Sequence, residues 1–465
     1  MDQSRDFLRT EPIGALLKKL AIPTVTAQLI NMLYNMVDRI YIGHIPVVGP
    51  AALTGIGVCV PMILIVSAFS TTSGAGGAPR SSIALGRGDK EGAEEIMGNC
   101  FAFQVVVSAI ITAILLLFNR PLLMLFGASE NTIEYATGYM NIYAIGTIFV
   151  ELTLGMNAFI TAQGYAKTAM HSVMIGAVAN IVLDPIFIFG FHMGVRGAAL
   201  ATVISQMLSC IWVLHFLSSE KSTLRFKKQY MRLKKSVIVP CITLGMGVFI
   251  MNISESAIFV CYNASLQKYG GDIAVGAMTI LMSIMQLVML PIQGIGQGAQ
   301  PIISYNYGAE VSERVRAAFK LLLKVSMMYT VAMWLGVMIF PKVFAAVFTP
   351  NTELQVYAAH AMRIYFAAMF LFGIQMACQT TFGAIGNAKA SIVVACMRKF
   401  VLMIPLIYIL PAIMSGNETT AVYLAEPVSD VLAITFTAIL FYHQFRKAMK
   451  LLEERKAAHL AEAQA

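Results

Sequence analysis

Four side chains in the first half of this 465-residue chain can hold a cation or a proton: Asp38 in "NMLYNMVDR", Asn180 and Asp184 in "NIVLDP", and Thr202 in "ATVISQ". All four lie inside apolar stretches, where an uncompensated charge costs ~2.5–3.5 kcal/mol or more. A carboxylate in such a place calls for a counter-ion, a proton or water. Asn180 and Asp184 are four residues apart, so amide and carboxylate share one helix face, and Pro185 removes a backbone donor beside the acid. Two carboxylates, an amide oxygen and a hydroxyl offer Na⁺ a set of oxygen ligands; the same carboxylates can instead carry H⁺. Plainer roles exist for each. Asp38 followed by Arg39 can be an interfacial pair, Asp-Pro can be a kink near a helix end, and Asn180 or Thr202 can serve helix–helix hydrogen bonding.

The second half carries its own acids. Glu255 follows Asn252 at the spacing with which Asp38 follows Asn35, and Glu426 in "AEPVSD" stands where Thr202 stands in the first half. Position 406, the counterpart of Asp184, is leucine, so the halves are not expected to bind one cation identically. Glu255 and Glu426 either attract a cationic substrate or relay protons, or else pair structurally with each other or with Arg398 and Lys399. Glu151 is expected toward the inner end of the fourth span, as an entry point for a cation or as a helix-end carboxylate.

The elements that position these groups are membrane spans. Hydrophobic residues make up 58% of the chain and charged ones 12%, with a mean hydropathy of +0.73, more apolar surface than a soluble core needs. About twelve stretches reach the ~20 residues that a spanning helix requires, six on each side of the basic run "KSTLRFKKQYMRLKK" at Lys221–Lys235. The chain also repeats itself. Gly74, Gly76, Pro79 and Gly86 recur 222 positions later as Gly296, Gly298, Pro301 and Gly308, and Gly164, Ala166 and Lys167 as Gly386, Ala388 and Lys389. Duplicated halves in the same order suit two bundles rocking about a site between them. The expected organisation is an amino-terminal six-helix lobe (1–220), a basic linker (221–235), a carboxyl-terminal lobe (236–446) and a tail (447–465) forming a frayed helical extension.

Charge placement orients these spans. Arg5, Arg9, Lys18, Lys19, the linker and the tail fall on one side with most of the other Lys and Arg; only Arg120, Arg196, Lys268 and Lys342 fall in the opposite loops. This bias predicts cytoplasmic termini and linker, and inner loops beside anionic lipid account for the net charge of +9 without a nucleic acid partner. The amino terminus is polar, and the first span is expected to be retained rather than cleaved. Seven scattered cysteines have neither disulfide nor zinc spacing, and no HExxH or GxxxxGK[ST] motif is present. An enzyme is therefore not expected, nor any organic cofactor, and energy for any pumping must come from an ion gradient or from a partner chain. The glycine-rich stretches read as close helix contacts rather than phosphate loops.

The doubled Gly-x-Gly-x-x-Pro segment, the late first-span Asp38, "NIVLDP" followed by "GVRGAALATVISQ", and "AEPVSD" together resemble the multidrug and toxic compound extrusion (MATE) family, in its bacterial MepA-like branch. The resemblance covers nearly the whole chain. It implies an all-α integral membrane protein of about twelve helices in two pseudo-symmetric lobes. It also implies a multi-pass protein of the bacterial plasma (inner) membrane that exports cationic, amphipathic drugs by alternating access in exchange for Na⁺ or H⁺. The family's amino-lobe cation site then falls on Asp38, Asn180, Asp184 and Thr202; Asn157 matches a further polar position, and Glu255 the seventh-helix acid of some members. An acid that some relatives carry in the tenth helix is absent, where this chain has Arg363 and Gln375. The 30 methionines and 27 phenylalanines suit a cavity that repacks around varied guests. With both lobes in one chain a monomer is expected. The alternative is a lipid-linked saccharide flippase of the same superfamily, which would favour more in-span Arg and Lys.

Overall fold

A computed structural model describes residues 7–46 and 49–464; Arg5, one of the residues behind the charge bias, lies outside them. The amino-terminal half forms α1 (Ile13–Gly43), α2 (Gly49–Gly86), α3 (Lys90–Leu125), α4 (Ile133–Ala162), α5 (Ala166–Pro185) and α6 (Val195–Ser218). The next helical stretch, Lys235–Gly308, has 74 residues and would measure about 110 Å if straight, several times a bilayer's apolar thickness. Gly271 breaks it with φ +65° and ψ −161°, a conformation that glycine adopts without a Cβ clash. Two spans result, α7 (235–270) and α8 (272–308). They are followed by α9 (Ser312–Ile339), a short helix Pro341–Phe348, then α10, α11 and α12 (Glu418–Gln464).

Two of the late spans are interrupted. α10 consists of Thr352–Tyr365 and Phe372–Ala384, bent by 50°. α11 runs through Ala388–Cys396, a π-helical stretch Met397–Met403, and Ile404–Ile413. With α7 and α8 separated and α10 taken as one bent span, twelve apolar helices long enough to cross a membrane are present among the described residues. Local signals set their starts: Asp89 caps α3 by accepting the Gly92 N–H at 2.8 Å, and Asn387 caps α11 through the Ala390 N–H at 3.1 Å, relieving otherwise orphaned donors.

The core divides by halves. One buried cluster around Ala136, Met140 and Ala144 draws only on α1 to α6 and their loops, whereas that around Leu281, Met362 and Tyr365 belongs to α7–α12. A third cluster joins Leu16 and Leu20 of α1 to Ile302 and Ile303 of α8 and to Met449 and Leu452 of α12.

Between the lobes, the repeated glycines meet each other's helices in matched pairs. A Cβ on Gly86 would lie 2.1 Å from the Tyr305 carbonyl oxygen, and one on Gly308 2.0 Å from that of Ile83; Ile83 and Tyr305 are themselves 222 positions apart. Likewise a Cβ on Gly76 would strike Cys241 of α7 at 1.8 Å, while on Gly298 it would strike Ala21 of α1 at 2.5 Å. Only a missing side chain permits backbones this close. The sequence repeat is thus a two-fold relation in space, α2 against α7 as α8 is against α1.

The basic linker is strapped to the amino lobe. Gln163 Oε1 accepts the backbone N–H groups of Thr223 and Leu224 at 2.8 and 3.0 Å, and buried Glu94 pairs with Lys227 at 2.7 Å. That carboxylate raises the Lys227 ammonium above its ordinary pKa. α12 continues as helix to Gln464, held by Arg316–Glu453 at 2.8 Å and His459–Glu310 at 3.1 Å.

Candidate functional site

Asp38 sits in the last turns of α1 and Asp184 at the end of α5, where Pro185 and the following π turn Ile186–Gly190 loosen the backbone. The two carboxyl groups lie within hydrogen-bonding reach of each other. Asn180, one turn before Asp184, donates Nδ2 to Asp184 Oδ1 at 3.3 Å. Asn180 and Asp184 are fully buried and Asp38 half-buried.

Among the described residues, neither carboxylate has a basic side chain at ion-pair distance; Arg39 acts on Asp38 electrostatically from beyond it. Asp38 Oδ1, Asn180 Oδ1 and Asp184 Oδ2 are buried without any hydrogen-bond partner. Two carboxylates this close repel unless a proton or cation lies between them, and orphaned buried acceptors call for one. The oxygen-only donor set fits either a proton or a hard monovalent ion.

Thr202 borders this cluster. Its hydroxyl pairs with the phenol of Tyr139 on α4, which is itself within electrostatic reach of Asp38. Tyr139 had no sequence signal, because a tyrosine in an apolar span reads as core. Asn35, one turn before Asp38, is exposed and donates to the Asn31 carbonyl at 2.7 Å. Asn157 lies elsewhere, donating across to Ala169 near the start of α5 at 3.3 Å.

Glu151 is not a helix-end carboxylate but is fully buried within α4, with Ser70 of α2 beside it. The difference lies in depth: α4 runs eleven residues beyond it, to Ala162.

In the carboxyl lobe the acids have covalently attached counter-ions. Lys399 Nζ meets Glu255 Oε1 at 2.5 Å, and Arg398 reaches Asp430 at 3.0 Å and Glu426 at 3.4 Å. Tyr262 donates to Glu426 Oε2 at 3.1 Å. The expected pairing of Glu255 and Glu426 with Lys399 and Arg398 is seen, carried by the π-helical stretch of α11. Asp430 completes this cluster and was missed, although Glu426 and Asp430 have the same four-residue spacing as Asn180 and Asp184. Asn252, a turn before Glu255, reaches Thr71 of α2 across the lobes at 3.4 Å.

The MatE family model matches the chain twice, over residues 23–186 and 248–409. The chain is 23% identical over 434 residues to the multidrug export protein MepA of Staphylococcus haemolyticus, spanning 93% of this chain and 95% of that protein. Among solved structures, it is 34% identical to the MATE multidrug transporter DinF-BH, solved in complex with a small molecule, with a TM-score of 0.86 over 93% of this chain and 96% of that one. A MATE structure in a bent conformation gives a TM-score of 0.90 at 22% identity, over 98% of this chain and all of that one. Two matched halves that cover well over half of the sequence, on a twelve-helix membrane fold, place this chain in the MatE family of membrane transporters.

Proposed function

We propose that this protein is a secondary active multidrug exporter, which expels cationic amphipathic compounds in exchange for H⁺ or Na⁺ by alternating access between its lobes. The observation that carries this reading is the Asp38–Asp184 pair, buried without a cation of its own. An exchangeable ion from outside takes the place that a lysine or arginine would fill in a merely structural cluster. The relatives' printed functions, multidrug export and multidrug transport, agree with it.

In the proposed cycle, a proton or Na⁺ binds between Asp38 and Asp184 with Asn180 as a further oxygen donor. Neutralising the carboxylates lets the end of α1 close onto α5, which narrows the space open to drug. Reciprocal linkage then requires drug and ion to weaken each other's binding. Further parts of this reading are the placement of both termini on the cytoplasmic side of a bacterial plasma membrane and action as a monomer. The lobes are packed together at the end bearing the basic loops, so on this orientation the conformation described faces outward. The scarcity of basic side chains free of carboxylates within the spans weighs against the saccharide-flippase alternative, whose diphosphate cargo needs them.

The test is ethidium efflux from proteoliposomes with a Na⁺ gradient and a pH gradient imposed separately. One gradient is expected to drive efflux, and Asp184→Asn to bring it to background while the protein still folds and inserts. Wild-type transport in that variant would overturn the reading.

A further inference from the structure

The Glu255–Lys399 pair is lopsided. The Lys399 side chain is 5% exposed and that of Glu255 53%, so the ammonium is enclosed while its partner is open on one side. Asn252, one turn nearer the basic loops, touches Thr71 of the opposite lobe, and Phe249 packs edge-on against Phe69 of that lobe at 5.1 Å. Glu255 lies just past these contacts on α7, three residues after Asn252 and so on the helix face that carries the interlobe contact.

Behind it the charges do not balance. Glu255, Glu426 and Asp430 stand against Arg398 and Lys399, one negative charge in excess. Lys399 acts electrostatically on Glu426 and Asp430 as well as on Glu255. Without Glu255, the remaining two carboxylates and two cations would match.

We infer that Lys399 is a tethered stand-in for the cationic group of a transported compound: a monovalent lipophilic cation entering the cleft binds Glu255 in its place, and Lys399 turns inward to Glu426 and Asp430. With Glu255 neutralised from outside, the buried cluster gains the counter-charge it lacks, which offsets the cost of parting an ion pair in an apolar setting. The rings of Phe249 and Phe69 offer aromatic surface for the organic body of the cation. The arrangement also discriminates by charge, since one carboxylate is released and one positive charge is accommodated. This inference rests on the reading of the cleft as a path for cationic compounds, and adds a second site with a role distinct from that of Asp38 and Asp184.

The test is equilibrium binding of tetraphenylphosphonium to the full-length protein in lipid nanodiscs. Glu255→Gln should weaken binding by about tenfold, within the range of ordinary site coupling. The double variant Lys399→Met with Asp430→Asn keeps the net charge of the cluster but removes the competing ammonium, and should bind about tenfold more tightly than wild type. Unchanged affinity in Glu255→Gln, or no gain in the folded double variant, would overturn the inference while leaving the exporter reading standing. Failure of the wild type itself to bind tetraphenylphosphonium, ethidium or any other lipophilic cation would overturn both.

Discussion

At the scale of single residues, the two lobes solve the problem of a buried acid in opposite ways. The amino lobe leaves Asp38 and Asp184 without a basic side chain at ion-pair distance among the described residues, whereas the carboxyl lobe supplies Arg398 and Lys399 from α11. Different consequences of mutation follow. Replacing Arg398 by methionine should cost about 3–5 kcal/mol, because Glu426 and Asp430 would stay buried without their guanidinium; a drop in the thermal unfolding midpoint of the detergent-solubilised protein measures it. Asp184→Asn should instead leave that midpoint equal to or above the wild-type value at low ionic strength, since it removes a buried charge that has no basic side chain at ion-pair distance among the described residues. The acids themselves were legible in the sequence, as was the face shared by Asn180 and Asp184. Their partners were not. Whether Glu426 finds Arg398 or a substrate depends on which way a π-helical stretch turns its side chains, and Tyr139 looks like any other core ring until α4 is laid beside α6.

At the scale of the helices, the repeated glycines were readable as close contacts, and the structure gives them matched partners across the lobes. Gly76→Leu should abolish transport, since even a Cβ would lie 1.8 Å from the Cys241 carbonyl oxygen. A second device at the same end had no signal in the sequence. Arg314 of α9 donates to the Glu11 and Leu8 carbonyls at 2.7 and 3.1 Å, and Asn306 of α8 donates to Leu8 at 3.0 Å. Together they latch the segment leading into α1 onto the carboxyl lobe. Arg314→Ala should loosen that latch. Spin labels on the α2–α3 and α8–α9 loops should then show a larger population of long distances at this end than in wild type, and an unchanged distribution would count against the latch. The break in α10 was hidden from hydropathy, because the apolar character of the chain runs through it without interruption, whereas the break at Gly271 falls in the loop that Lys268 marked in the sequence.

Across the whole molecule, the duplication seen in sequence becomes a two-fold arrangement whose halves no longer do the same work. Repeat symmetry supplies two bundles that can rock against each other, and divergence at Leu406, where the first half has Asp184, confines the carboxylate pair without a basic partner to one of them. The linker strapped through Gln163 and Glu94 should restrain the amino lobe's end while α7 moves. Glu94→Gln, which frees Lys227, is accordingly expected to change the rate of transport by no more than a few-fold without changing its ion dependence. Efflux rates under matched gradients would show this.

The central claim is that drug and ion compete through Asp38 and Asp184, and the most direct measurement is ion release upon drug addition. Tetraphenylphosphonium would be added to the purified protein in a weakly buffered solution with a pH indicator, and in parallel to protein equilibrated with radioactive Na⁺. Wild type should release one of the two ions as the drug binds, and Asp184→Asn should bind drug while releasing neither. Drug binding without release of either ion from wild type, or undiminished release from Asp184→Asn, would contradict the account.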